Sequence, residues 1–90
     1  MGEGLDIDRK RLLFRSWHRG TREADLLLGS FAERHLGEFT RAQLDCYARL
    51  LDCSDADLWD WIAGREAPSA EQDSDVLRLL MSFRYTPRPA

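Results

Sequence analysis

The chain has 90 residues, 43% hydrophobic and 32% charged, with a formal net charge of −3. Such a composition gives one small globular domain with a single core, and it excludes both a wholly disordered chain and a large internal active-site cavity. No apolar run approaches the roughly 18–20 residues that span a bilayer, and the N-terminus carries neither a secretory apolar core nor an Arg-rich, acid-poor transit pattern, so a cytoplasmic protein is the expectation.

Residues 1–7 carry two glycines and no periodic pattern, and are expected as a flexible N-terminus. From Asp8 to Arg19 the run reads as a helix with Leu13 and Trp17 on one face, widened by Leu12 and Phe14. Gly20 closes it, because glycine enters the left-handed region without a side-chain clash. A second helix over Arg22–Leu36 places Ala24, Leu27, Leu28, Phe31 and His35 on a core-facing stripe, with Gly37 as its stop. His35 on that stripe reads as a structural histidine. Gly29 in mid-helix costs about 1 kcal/mol against alanine, which predicts a close helix crossing there. Thr40 with Gln43 forms a capping box for a third helix, and Phe39 with Leu44 the matching staple. Leu44, Tyr47, Ala48 and Leu51 are its buried stripe. Ser54 with Asp57 opens a short fourth helix, with Leu58, Trp61 and Ile62 facing one way and Gly64 ending it. Ser69 with Gln72 predicts a capping box for a fifth, whose apolar face is Val76, Leu77, Leu80 and Met81. Pro87 and Pro89 bar its continuation, and residues 86–90 are expected as a flexible tail. Strand alternation and hairpin turns are absent from the sequence. The predicted fold is all-α, a small antiparallel five-helix bundle forming one domain over residues 8–85.

Charge is unevenly placed. Six of the 13 Lys and Arg residues lie between Arg9 and Arg22 with no acid among them, whereas eight acids fall between Asp52 and Asp75 against Arg65 alone. A solvated helix face is the ordinary explanation, although such polarity also orients a partner on approach. Catalytic machinery is not visible: there is no Gly-rich phosphate loop, no His-Glu-x-x-His, and no nucleophile at motif spacing from a histidine. Asp55/Asp57 and Asp73/Asp75 are i, i+2 pairs at helix starts, which do not face one another and read as capping charges. Cys46 and Cys53 lack the spacing of a zinc site and read as small buried hydrophobes, so no metal is expected. Binding is therefore favoured over enzyme activity.

The strongest candidate is Arg19-Gly20-Thr21-Arg22-Glu23, where one helix ends and the next begins. Thr21 occupies an N-cap position, and Glu23 lies in the first turn, at the positive end of the helix dipole. A helix–helix turn with a local ion pair accounts for these residues blandly. The binding alternative uses Arg19 as a bidentate donor to a partner carboxylate, Glu23 as an acceptor, and Gly20 as backbone another chain can approach. Trp17 beside it is balanced between core and interface. Trp61 reads as core, and Trp59 as packed under the Pro68 loop rather than as an exposed anchor.

With those residues in place, the chain resembles the succinate dehydrogenase assembly factors that promote covalent attachment of FAD to the flavoprotein subunit. The resemblance is carried by Arg19-Gly20-Thr21-Arg22-Glu23 as the family's Arg-Gly-x-x-Glu motif with Asp25 following, by Leu26-Leu27-Leu28 and Phe31, and by Asp55-Ala56-Asp57-Leu58-Trp59-Asp60-Trp61-Ile62. It spans Arg11 to Met81, and departs from the family at Ala56, where proline is usual, and at Trp59, where Phe or Tyr is commoner. The resemblance implies a protein that docks on the unassembled flavoprotein of succinate dehydrogenase, with fumarate reductase as a further candidate. It also implies that FAD is carried by the partner, since the flavin bond forms between the isoalloxazine 8α-methyl and a partner histidine. The implied partner-binding residues are Arg19, Gly20 and Glu23, flanked by Arg15, Trp17, Arg22 and Asp25. No nucleic acid, no membrane and a monomeric free state complete the expectation. The competing reading is a helical nucleic-acid binder using Arg9 to Arg22 against phosphates, which the net acidic balance and the lack of base-reading side chains oppose.

Overall fold

Four helices of this chain begin on a hydroxyl that accepts a backbone N–H of the first turn, satisfying a donor the helix cannot. Thr21 Oγ1 accepts from Ala24 at 3.3 Å, Ser54 Oγ from Asp57 at 3.1 Å, and Ser74 Oγ from Leu77 at 3.1 Å. At Thr40 the capping box is reciprocal: Gln43 N–H donates to the hydroxyl at 3.2 Å, and Gln43 Oε1 accepts from Thr40 N–H at 2.9 Å. The computed structural model describes residues 3–83. It is all-α: α1 (Glu3–Trp17), α2 (Arg22–His35), a 3₁₀ turn (Leu36–Glu38), α3 (Arg41–Leu51), α4 (Asp55–Ile62) and α5 (Asp75–Ser82).

Several boundaries differ from expectation. Helix α1 reaches back to Glu3 and stops at Trp17 rather than Arg19. Helix α2 gives way to the 3₁₀ turn at Leu36, so Gly37 is part of that turn and not a left-handed stop. The Ser69 carbonyl accepts from Gln72 and Asp73 in one isolated turn, and α5 starts only after Ser74. Ala70 to Asp73 offers no large apolar side chain to bury, so a helix gains nothing by starting before Val76. The expected tail at residues 86–90 lies outside the described residues.

Contacts along α1 set its direction against its neighbours. Arg9 donates to the Leu36 and Phe39 carbonyls at the far end of α2, whereas Trp17 packs on Gly29 and donates Nε1–H to Glu33 at 3.0 Å. Partners on α2 therefore descend as α1 ascends, and the pair is antiparallel. Against α3 the order ascends, from Asp8 with Arg41 to Arg15 with Asp52, so α1 and α3 are parallel, with α2 reversed between them in the chain. A Cβ on Gly29 would lie 2.2 Å from the Trp17 ring, which is the close crossing the sequence predicts.

The core gathers Leu28, Phe31, Leu36, Phe39, Leu44, Tyr47, Leu50, Leu58, Trp61, Val76, Leu77 and Leu80. Phe31 lies at its aromatic centre, with ring centroids of Tyr47 at 5.6 Å and Phe83 at 5.4 Å. His35 packs its ring against Phe31 and Phe39, as a structural histidine does. From α1 it is Leu12 that is buried; Leu13 lies at the core's edge and Phe14 is 63% exposed, against the expected grouping. Ser16 is fully buried behind them. Its hydroxyl lies 2.7 Å from the Leu12 carbonyl and 2.6 Å from the Tyr47 hydroxyl, which also reaches the Leu28 carbonyl at 3.4 Å. Burial pushes the Tyr47 phenol up to about 12, with the Ser16 hydrogen bond opposing.

Candidate functional site

The corner between α1 and α2 is built from both sides. Asp25, in the first turn of α2, accepts the Arg19 N–H at 2.6 Å and the Gly20 N–H at 3.3 Å. Gly20 turns the chain at φ +116°, a conformation that L side chains rarely adopt, and nothing lies within 4 Å of where its Cβ would stand. The turn is thus held from within and bare outside. Thr21 then caps α2, whose first turn presents Glu23 to solvent.

Arg19 is directed inward rather than toward a partner. Its Nε and one terminal nitrogen donate to Asp55 Oδ1 at 3.0 and 2.7 Å, the same nitrogen to the Cys53 carbonyl at 2.9 Å, and the other to the Leu51 carbonyl. The guanidinium sits between the negative end of α3 and the first turn of α4, where Asp55 already favours the dipole. Its side chain is only 12% exposed. The carboxylate expected from a partner is supplied by the chain itself.

Other cations of the basic segment are committed in the same way. Arg9 holds the end of α2 through two carbonyls, and Arg15 pairs with Asp52 at 2.7 Å on the surface. Among the described residues, Lys10, Arg11, Arg22 and Glu23 are exposed and make no side-chain hydrogen bond or ion pair. A phosphate-binding helix would have to work with Lys10, Arg11 and Arg22 alone. Trp17 is half-buried over Gly29, which joins the core and surface readings in one side chain. Beside it, His18 Nδ1 lies 2.7 Å from the Phe14 carbonyl and its ring stacks on exposed Phe14 at 3.9 Å.

Below the corner, Trp59 lines a small apolar cleft with Ala24, Leu27, Leu28, Leu58 and Ile62, with Asp55 at its edge. It thus faces α2. Burial, with Asp57 and Asp52 nearby, raises the Cys53 thiol above its ordinary value and so disfavours the thiolate. Among the described residues, no group of three or more His, Cys, Asp or Glu is placed to hold a metal ion, and no helix is long and apolar enough to cross a membrane. From the sequence Asp55 reads as a capping charge, and its pairing with Arg19 is not visible there. No spacing rule links positions 36 residues apart.

Together, fold and site define a small all-helical domain that presents one braced, solvent-facing corner. A family model described as the flavinator of succinate dehydrogenase matches residues 10–84, and the chain belongs to that family. It is 43% identical over 83 residues to a protein of Scheffersomyces stipitis named succinate dehydrogenase assembly factor 2, mitochondrial, covering 88% of this chain and 56% of the relative. A Dictyostelium discoideum protein of the same name is 42% identical over 72 residues, covering 80% and 51%. The FAD assembly factor SdhE of Acetobacter pasteurianus is 35% identical over 79 residues, covering 88% and 72%. The chain spans little more than half the length of the eukaryotic relatives.

These names correct the expected cytoplasmic location, since the yeast relatives are called mitochondrial. The physical reason is that a compartment address is read by receptors from a targeting segment, so the composition and charge of the folded domain do not encode it.

Proposed function

We propose that this chain is an assembly factor that binds the flavoprotein subunit of succinate dehydrogenase and promotes covalent attachment of FAD to it. The observation that carries the reading is a corner fastened from behind by Asp25 and Arg19 while Gly20, Arg22 and Glu23 face solvent. A surface prepared in this way needs little ordering on binding, which is the main cost of docking through a loop. Gly20 lets partner backbone approach, and Glu23 and Arg22 offer an unpaired acceptor and donor beside it. Arg15 and Trp17 widen the contact.

The flavin chemistry belongs to cofactor and partner, with FAD carried by the flavoprotein. This chain acts without catalysis of its own. It promotes the reaction by binding the competent conformation of the partner more tightly than the others, because only differential affinity shifts such an equilibrium. Fumarate reductase flavoprotein is a second client, and the free chain is a monomer. The test co-expresses Glu23→Ala with the flavoprotein and reads covalently bound flavin by fluorescence after denaturation. Loss of most of the signal is expected, and wild-type loading would remove the corner from the mechanism.

A further inference from the structure

The first and last of the stretches that carry the family resemblance begin 36 residues apart and meet through the Arg19 side chain. We propose that Arg19 is a positioning residue that acts through Asp55, and that the pair sets the angle at which the corner meets the partner. The inference rests on the docking role proposed above and assigns Arg19 a place behind the surface rather than on it.

The acceptors explain why. Asp55 takes two donors of the guanidinium, and the Leu51 and Cys53 carbonyls take the others. The Leu51 carbonyl closes α3, where backbone acceptors lack intrahelical donors, the Cys53 carbonyl belongs to the turn after it, and Asp55 opens α4, where a carboxylate is favoured. One planar cation thus satisfies a helix end and joins it to the next helix start. A lysine ammonium has no such fork. The main chain of Arg19 is seated at the same time, by Asp25 from α2. Residue 19 therefore ties the corner to three helices, and four of its five side-chain N–H donors are spent before a partner arrives. Asp25 holds the amides and Asp55 holds the side chain, so loosening either lets Gly20 and Glu23 sample other directions. The apparent affinity for a partner then falls by the fraction of time the corner is correctly set.

The experiment is a double-mutant cycle of Arg19→Met, Asp55→Asn and both together. It reads the concentration of each variant giving half-maximal flavin loading of purified apo-flavoprotein. Each single change is expected to raise that concentration about tenfold at unchanged maximal loading, and the double change no further than the worse single. Multiplied effects, about a hundredfold for the double, would show that Arg19 touches the partner independently and would overturn the proposal. Amide hydrogen exchange of the free protein gives a second reading. Arg19 and Gly20 amides exchange faster in Asp55→Asn if the clamp holds the corner, and unchanged protection sinks the idea. Should a variant fail to fold by circular dichroism, Arg19→Lys keeps the charge, and the same shift at smaller size is expected. A Glu23→Ala control separates the failures. If it leaves loading unaltered, the docking reading fails, while the exchange result still judges the clamp.

Discussion

Two glycine turns in this molecule start from the same local chemistry and end as different objects. Gly20 after α1 and Gly64 after α4 both adopt positive φ, and neither has an atom within 4 Å of its missing Cβ. An arginine adjoins each. Arg65 makes one surface bond to Asp60 and is 63% exposed; Arg19 makes four bonds to three residues and is 12% exposed. The Gly64 turn closes on backbone bonds within its own helix end, Gly64 to Trp61 and Arg65 to Asp60. The Gly20 corner is held by residues 25 and 55, from other helices. A turn becomes a stiff surface feature when its fasteners come from elements that cannot move with it.

The largest expected effect separates the arginines. Arg19→Ala strands Asp55 and the Leu51 and Cys53 carbonyls and is expected to cost roughly 2–4 kcal/mol in urea denaturation. Arg65→Ala, with an exposed partner, is expected within about 0.5 kcal/mol. Equal costs would erase the contrast. The glycines give a smaller and more discriminating effect. Gly20→Ala and Gly64→Ala each force a Cβ into positive φ at about 1–2 kcal/mol, but only Gly20→Ala is expected to reduce flavin loading as well. The smallest effect calibrates the interior against both turns. Tyr47→Phe removes a buried hydroxyl bonded to Ser16 at 2.6 Å and, more weakly, to the Leu28 carbonyl at 3.4 Å, for about 1 kcal/mol. Burial raises the Tyr47 phenol from 10.0 to about 12, so the unfolded chain loses that proton first. Stability is expected to hold below about pH 10 and to fall as pH rises toward about 12, and Tyr47→Phe removes that part of the slope.

Much of the fold was legible because its signals are local. Thr40 with Gln43 and Ser54 with Asp57 are caps completed within four residues, and Gly29 announced a crossing by lacking a side chain where a helix would favour one. Ser69 with Gln72 had the same local form as a true cap and lost to Ser74, because only from Val76 on does the helix have a core to enter. On α1, period alone could not tell Leu12 from its apolar neighbours Leu13 and Phe14. Packing against α3, with Ser16 meeting Tyr47, decided which side faced inward.

The candidate site divides along the same line. Glycine, cap and first-turn acid were readable as a corner from their order in the chain. Whether Arg19 pointed out of that corner or behind it depended on Asp55, brought close only by the folding of α3 and α4. Sequence by itself determined where α2, α3 and α4 start, where the chain turns at Gly20 and Gly64 and which family the motifs belong to, since these depend on backbone torsions and on neighbours within about four residues. Tertiary structure alone decided which charges are spent inside and which stay exposed, because that depends on acceptors tens of residues away meeting in one desolvated place.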